Sequence, residues 1–299
     1  MELKPLSIED QKIFRQYLGL FEHELSVYAF ENIYIWRALF DISWIIIEDC
    51  LCVFFKDKMG CFLYLPPLGK GIKPSVIKEA LLIMDGLNSN KEISRIENIE
   101  EKDLSFYRDL GYELRDKPGE YLCRREELAQ LWGAKYKSKR ASVNYFNKHY
   151  DYEYLEFDLK YRDECLRLYN LWMQQRQDKI QEPVYQGMLH DYLNCLKILL
   201  DNYRDLDFEG RLVKVDKEVA GFSFGFKLNR QTFCILYEIT DLSIKGLAQF
   251  LFCEFCSELK NYSYINIMDD SGLTNLKKVK LSYKPLRIIP AYIAKRKNA

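Results

Sequence analysis

The stretch DLSFYRDLGYEL, residues 103–114, has the pattern of a helix that ends at a glycine and leads directly into a strand. Gly111 permits the left-handed backbone that closes many helices, and Tyr112 would begin the strand. Matching residues return towards the C-terminus at a constant spacing of 171 positions: Leu110 with Leu281, Tyr112 with Tyr283, Tyr121 with Tyr292, and Arg125 with Arg296. The stretch therefore predicts a set of elements that occurs twice in the chain.

The hydrophobic pattern predicts the same order of elements in both halves. Each half begins with two helices and three strands, and continues with a helix, a strand, a helix and a terminal strand. In the first half, residues 112–125 are expected to form a strand pair that turns at Pro118-Gly119. We predict an α/β (α+β) fold of two similar domains, residues 1–134 and 151–299, joined by a basic helix over residues 135–150. Each domain should have a mixed, mostly antiparallel sheet with flanking helices.

The overall composition excludes several classes of protein. Basic and acidic residues both number 44, so the net charge does not favour nucleic acid or membrane. Nine scattered cysteines lack the spacing of a disulfide framework or a metal site, which predicts free thiols in a cytoplasmic protein. No histidine cluster indicates a metal, and no apolar run is long enough to predict an integral membrane segment.

Charge is nevertheless segregated locally. Residues 132–150, WGAKYKSKRASVNYFNKHY, contain no acid, and neither do residues 271–299. In a helix the polar residues of the first segment would share one face: Lys137, Arg140, Asn144 and Lys148. Tyr136, Val143, Phe146 and Tyr150 would share the opposite face and dock on protein. Lys139 falls at the edge of the apolar face, so it would extend along that face or point into a cleft between the halves.

The doubled order of elements resembles the GNAT acyltransferase fold, in which a helix often ends in Leu-Gly-Tyr before a strand. Two further segments, KYKSKRASVNYF (135–146) and YINIMDDSGLTNLKKVKLSYKP (264–285), resemble a tandem-GNAT family. That family includes the soluble C-terminal region of phosphatidylglycerol lysyltransferases and is similar in architecture to the Fem aminoacyltransferases. It usually has Arg-Glu just after the asparagine that corresponds to Asn266, whereas Ile267 and Met268 follow it here.

The resemblance implies an acyltransferase of the aminoacyl-transfer type. Such an enzyme moves an aminoacyl group from a phosphate-rich donor, charged tRNA, to an amine or a hydroxyl, and requires no separate cofactor. GNAT enzymes that use acyl-CoA hold its pyrophosphate at a glycine-rich helix N-terminus. The corresponding segments here, PPLGKGIKP (66–74) and Lys245-Gly246, lack the usual Arg/Gln-x-x-Gly-x-Gly/Ala pattern. An acyl-CoA-dependent N-acyltransferase and a non-catalytic binding module are the alternatives.

Candidate catalytic residues lie at strand ends of the second half: Glu238, Asn266 and Asp269. A carboxylate there could act as a general base or bind an α-amino group, although Glu238 could also be a plain strand-end acid and Asp269 part of a helix-capping turn. The donor-binding candidates are Lys137, Lys139, Arg140, Asn144, Lys148, Lys245, Gly246 and Lys280. We expect tRNA or another phosphate-rich ligand there, and not duplex DNA. The basic patches would also allow peripheral contact with a membrane.

Overall fold

The structure, a computed structural model, describes residues 2–177 and 183–297. Its helices are α1 Gln11–Leu18, α2 Phe30–Ile35, α3 Pro74–Leu87, α4 Leu104–Asp109, α5 Arg125–Gln130, α6 Lys137–His149, α7 Arg162–Gln177, α8 Pro183–Asp201, α9 Leu247–Glu258 and α10 Thr274–Ser282. Its strands are β1 Lys4–Pro5, β2 Asp41–Ile47, β3 Cys50–Lys56, β4 Cys61–Leu63, β5 Arg95–Glu100, β6 Tyr112–Arg124, β7 Tyr152–Glu156, β8 Phe208–Val215, β9 Glu218–Lys227, β10 Thr232–Thr240, β11 Tyr264–Asn266 and β12 Arg287–Arg296.

The chain forms two compact units. The first comprises Met1–Glu120 and Ile289–Ala299, and the second comprises Tyr121–Ile288. The domain limits predicted at residues 134 and 150 follow the sequence repeat, and they stay predictions. The compact units are instead divided after residues 120 and 288. The basic helix, α6, lies wholly within the second unit.

In the first unit the strands follow the order β1-β2-β3-β4-β5-β12. Neighbours pair antiparallel, except for the parallel pair β4–β5. Strand β3 is buried along most of its length, as the apolar run CLCVFF predicts. Phe14 of α1 packs edge-on against Phe30 and Trp44, which joins the first two helices to the sheet.

The second unit repeats this plan with the order β11-β10-β9-β8-β7. Its strands also pair antiparallel, except for the parallel pair β10–β11. Strand β9 is buried over eight consecutive residues, and helix α9 buries seven of its twelve residues, all of them apolar, in the core. The mixed, mostly antiparallel sheets with flanking helices are as predicted.

The expected turn at Pro118-Gly119 is wrong. Residues Tyr112–Arg124 form one continuous strand, and its last three residues pair with β11 in the second unit. Because β6 does not turn back, its end enters the sheet of the second unit, while β12 pairs with β5 in the first unit.

The arginines near the ends of these two strands contact equivalent positions of the repeat. Arg296 forms two bonds to the carboxylate of Asp85, at 2.6 and 2.8 Å. Arg125 donates to the carbonyl oxygen of Cys256 at 3.4 Å. Both the arginines and their partners are separated by the 171-residue spacing of the repeat, so the contacts support the predicted duplication.

Two further features concern composition. All nine cysteines are unpaired and buried. Within the described residues, no helix has both the length and the apolar character needed to cross a bilayer.

Candidate functional site

A cavity opens in the second unit where β10 and β11 stop pairing. Their parallel ladder reaches Cys234 and Asn266, and a β-bulge follows in β10 between Ile235 and Tyr237. A bulge bends a strand and re-aims the side chains beyond it. The cavity measures 320 Å³ and is bounded by β10, the loop after β11, and helices α7, α8 and α10.

The cavity is lined by both aromatic and charged residues. The aromatic residues come mainly from α7 and α8: Tyr169, Trp172, Tyr185, Tyr192 and Tyr237. The charged residues come from β10, α7, the loop after β11 and α10: Glu238, Arg176, Asp269 and Lys280. Such a cavity can hold a small polar group against aromatic rings while charged side chains orient it.

Glu238 is the titratable group best suited to proton transfer. Burial raises the pKa of its carboxyl from an ordinary value of 4.5 to about 7, although the charges of Lys139, Lys280 and Arg176 act in the opposite direction. The positive charges favour the ionised carboxyl, but burial outweighs them and places its pKa near neutral pH. That is the property required of a general base at physiological pH.

Lys139 is directed towards the same site. Its ammonium group donates to Ser282 Oγ at 2.9 Å and lies 3.3 Å from the centre of the Tyr283 ring. Burial lowers its pKa to about 8, and the charge of Glu238 partly opposes this shift. The contact with a ring face stabilises the cation. The positive charge of Lys139 therefore opposes the effect of burial on the pKa of Glu238.

The loop after β11 is organised by buried polar groups. Asn266 is buried, and its Oδ1 accepts a hydrogen bond from the backbone N–H of Met268 at 2.8 Å. Asp270 accepts from the hydroxyl of Tyr121 at 2.5 Å and from the N–H of Gly272 at 2.9 Å. These bonds fix the conformation of the loop beside the cavity. Asn266, predicted as catalytic, thus supports the loop and is not among the described residues that line the cavity.

Asp269 and Lys280 lie on the cavity wall itself. Asp269 accepts from the N–H of Ser271 at 2.6 Å and from its hydroxyl at 3.2 Å. Lys280 donates to the carbonyl oxygen of Ile267. Glu238, Asp269 and Lys280 were predicted from three separate segments, and the structure brings all three to one cavity.

The other donor-binding candidates on α6 lie elsewhere. Lys137, Asn144 and Lys148 are exposed, whereas Phe146 is buried against Phe250 with their rings 4.7 Å apart. Arg140 donates to the carbonyl oxygens of Leu131 and Gly133, at 2.6 Å from the latter. Its guanidinium group thus secures the turn before the helix.

Lys245 and Gly246 precede helix α9. Lys245 is exposed, and its ammonium group lies 4.3 Å from the centre of the Tyr145 ring. Gly246 is buried with φ of +88°, and a Cβ there would lie 2.2 Å from the carbonyl oxygen of Ser142. Helix α6 therefore packs directly against the N-terminus of α9.

The sequence did not indicate Arg176 or its aromatic neighbours. The Nε of Arg176 is buried and has no hydrogen-bond partner among the described residues, and its Cζ lies 5.4 Å from the centre of the Trp172 ring. An arginine four positions after a tryptophan can stack on it within one helix. The spacing of four residues could have indicated the pair, but the same sequence is equally typical of a tryptophan in a hydrophobic core.

Titration of Glu238 should alter the stability of the protein. Because its pKa is raised, this group stabilises the fold fully below pH 4.5, and the contribution is lost as the pH rises towards 7. We expect the free energy of unfolding of the wild type, relative to Glu238→Gln, to fall by about 1–3 kcal/mol over this range. Urea denaturation at a series of pH values measures it. A difference that does not change with pH would contradict the raised pKa.

Comparison with known families agrees with this architecture. The family model described as phosphatidylglycerol lysyltransferase, C-terminal, matches residues 19–295. The chain belongs to this family. The resemblance inferred from the basic helix and from residues 264–285 is therefore confirmed. No curated protein matched the chain.

Solved structures show the same fold. A conserved protein of unknown function from Bacteroides thetaiotaomicron is 25% identical, with a TM-score of 0.88 over 99% of this chain and 100% of that one. L-PGS from Bacillus licheniformis is 19% identical, with a TM-score of 0.69 over 99% and 94% of the two chains. FemX is 11% identical, with a TM-score of 0.63 over 99% and 96%. A tandem GNAT protein from the clavulanic acid biosynthesis pathway is 9% identical, with a TM-score of 0.54 over 100% and 99%, and these likenesses confirm the predicted tandem GNAT-like fold.

Proposed function

We propose that the protein is an acyltransferase of the aminoacyl-transfer type, with its active site in the cavity of the second unit. The family supports acyl or aminoacyl transfer as the general class. The observation that carries the assignment of the site is Glu238, a carboxyl with a pKa of about 7 on the wall of an aromatic and cationic cavity. Arg176 and Lys280, which line the same cavity, complete the set of groups that acyl transfer needs.

In this reaction the acceptor amine or hydroxyl attacks the carbonyl carbon of the aminoacyl ester. Glu238 accepts the proton that the acceptor loses, and Arg176 and Lys280 stabilise the negative charge that develops on the carbonyl oxygen. The ester bond then breaks, and the leaving hydroxyl of the donor receives a proton from Glu238. The aromatic wall holds the aminoacyl group in place, and this positioning supplies a further part of the rate enhancement.

Charged tRNA is the donor that the surroundings of the site favour. Helix α6 packs against the N-terminus of α9. The carbonyl group of Ser142 in α6 already occupies the space next to Gly246. This packing argues against the pyrophosphate of an acyl-CoA at that terminus. The exposed side chains of Lys137 and Lys148 offer instead a cationic surface of the kind that binds a nucleic-acid backbone.

Binding of charged tRNA tests this proposal. The wild type should bind charged tRNA at low salt and consume its ester bond in the presence of an acceptor. Lys137→Gln/Lys148→Gln should weaken binding about 10-fold. It should also lower the number of counterions released on binding by about two, because each lysine would contact one phosphate. Filter binding at several salt concentrations measures both.

A control pair, Lys58→Gln/Lys78→Gln, changes two exposed lysines of the first unit and should bind like the wild type. The proposal is lost if neither tRNA binding nor ester consumption exceeds background. Thermal stabilisation by acyl-CoA esters in that case would favour the N-acyltransferase alternative.

A further inference from the structure

One tryptophan of the second unit presents its indole ring to solvent. Of the four tryptophans, Trp132 is 60% exposed, whereas Trp44 is buried and Trp36 and Trp172 are partly buried. Among the described residues, the indole of Trp132 has no hydrogen-bond, ring or cation partner. Tryptophan has a large apolar surface and usually packs or forms a hydrogen bond, and it is enriched where proteins bind other molecules. The exposed ring is therefore a candidate ligand contact.

The turn that carries Trp132 is held in a fixed conformation. The residues on either side of it, Leu131 and Gly133, both have left-handed backbones, with φ of +51° and +81°. Arg140 donates to the carbonyl oxygens of both neighbours, and Leu131 and Tyr136 are buried in one hydrophobic cluster. A leucine keeps a left-handed φ only where its surroundings impose it. The turn thus holds the indole out in solvent.

The same turn is attached to the cavity. The hydroxyl of Tyr136 donates to the carbonyl oxygen of Tyr283 at 2.9 Å, and Tyr283 lines the cavity. Tyr136 lies four residues after Trp132, so their Cα atoms are at most about 14 Å apart. A chain-like ligand with one end in the cavity would therefore have its next few groups within reach of the indole.

The surroundings of the indole are polar and cationic. Lys135 and Lys137 are exposed within five residues of it, and the two residues directly after it are small. The charge of Glu127, on the preceding helix, is paired with Lys135. A lipid surface or a second protein would bury a group of apolar side chains. A nucleic-acid base needs only one flat ring to stack on, and its phosphates would meet the lysines.

We infer that Trp132 stacks on an unpaired base of the RNA donor. The inference rests on the proposed function, in which charged tRNA is the donor. A tRNA carries its aminoacyl ester at an unpaired 3′ end, so the bases next to an ester in the cavity would lie beside it. Every base has a planar face, so the stacking tolerates any sequence. Trp132 does not touch the reacting atoms. It is a positioning residue that holds the strand while the ester enters the cavity.

Binding of a labelled RNA hairpin at low salt, followed by fluorescence anisotropy, tests the inference. One hairpin has an unpaired 3′ end, and the other has the same end without its bases. The wild type should prefer the first at least about 5-fold, and Trp132→Ala should reduce this preference about 5- to 100-fold, the usual contribution of one stacked base. Trp132→Phe should keep most of the preference. Trp132→Leu should lose it, because leucine has no planar face.

The matched control, Phe21→Ala, removes an exposed ring of the first unit and should bind both hairpins like the wild type. Circular dichroism verifies that each variant is folded. The salt dependence of Trp132→Ala should equal that of the wild type, because the indole contacts no phosphate.

The inference alone is overturned if the wild type binds charged tRNA and Trp132→Ala keeps the full preference for the hairpin with bases. It is also overturned if Trp132→Leu restores the preference, which would identify a general apolar contact. If the wild type binds neither the hairpins nor charged tRNA, the proposed function is lost together with the inference.

Discussion

Glu238→Gln is expected to lower the rate of acyl transfer by about 10²- to 10⁴-fold, the usual contribution of a general base. Glutamine has nearly the same size and shape as glutamate, so the cavity should keep its form. It cannot accept the proton that the acceptor loses. Single-turnover measurement of ester consumption separates this loss from any change in donor binding.

The pH dependence of the rate distinguishes the two roles open to Glu238. As a base it must be ionised, so the wild-type rate should rise with pH around its pKa of about 7 and level off above it. The rate of Glu238→Gln should not show this rise. If the variant instead keeps its maximal rate and loses only affinity for the donor, Glu238 binds an ammonium group and is not the base.

Glu254→Gln is the control for this experiment. Glu254 lies on α9, is half-buried, and has a pKa that burial raises above 4.5, as in Glu238. It takes no part in the proposed chemistry, so its replacement should leave the rate within about twofold of the wild type, as for a substitution away from the site. Equal losses in both variants would mean that the loss of a half-buried carboxylate, rather than of a base, slows the reaction.

The parts of the site that lie at strand ends could be predicted from the sequence. Glu238 lies two residues before the end of the apolar strand β10, and Asp269 lies three residues after the end of β11. Both lie beyond the last pair of the parallel β10–β11 ladder, where polar residues of neighbouring strands can approach each other. The pattern of alternating helices and strands was therefore sufficient to indicate both carboxylates.

The remaining walls of the cavity could not be predicted in the same way. Trp172 and Arg176 line it because α7 presents that face to β10, and a helix does not reveal from its own sequence which partner it will meet. An aromatic residue at helical spacing packs equally well in a core or around a cavity. The bonds that the Arg140 guanidinium group makes to the preceding turn could likewise not be predicted from the helix alone.

The path of β6 shows how a local signal can be overridden. Pro118-Gly119 is a strong turn signal, yet the strand continues through it and reaches β11. Turn residues permit a reversal of the chain without requiring one. Pairing with β11 stabilises the extended conformation of β6. The predicted order of elements therefore holds for both halves apart from this strand pair and the short β1 and α5, and the pattern did not indicate the exchange of the terminal strands.

Gly246→Ala is expected to destabilise the protein by about 2–4 kcal/mol. The left-handed φ of +88° accounts for about 1–2 kcal/mol with any side chain, and the rest comes from the clash between the new Cβ and the Ser142 carbonyl oxygen. That oxygen is part of the backbone of α6, so α6 must shift away from α9. Thermal or urea denaturation measures the loss.

Gly111→Ala separates the two contributions. Gly111 has a similar φ of +81°, but no atom lies within 4 Å of the position that its Cβ would take. Its replacement should therefore cost only about 1–2 kcal/mol, the conformational part alone. If Gly246→Ala costs no more than Gly111→Ala and instead weakens donor binding, Gly246 forms a phosphate cradle after all. A larger stability loss with unchanged donor binding in the folded fraction identifies Gly246 as the residue that lets α6 pack against α9.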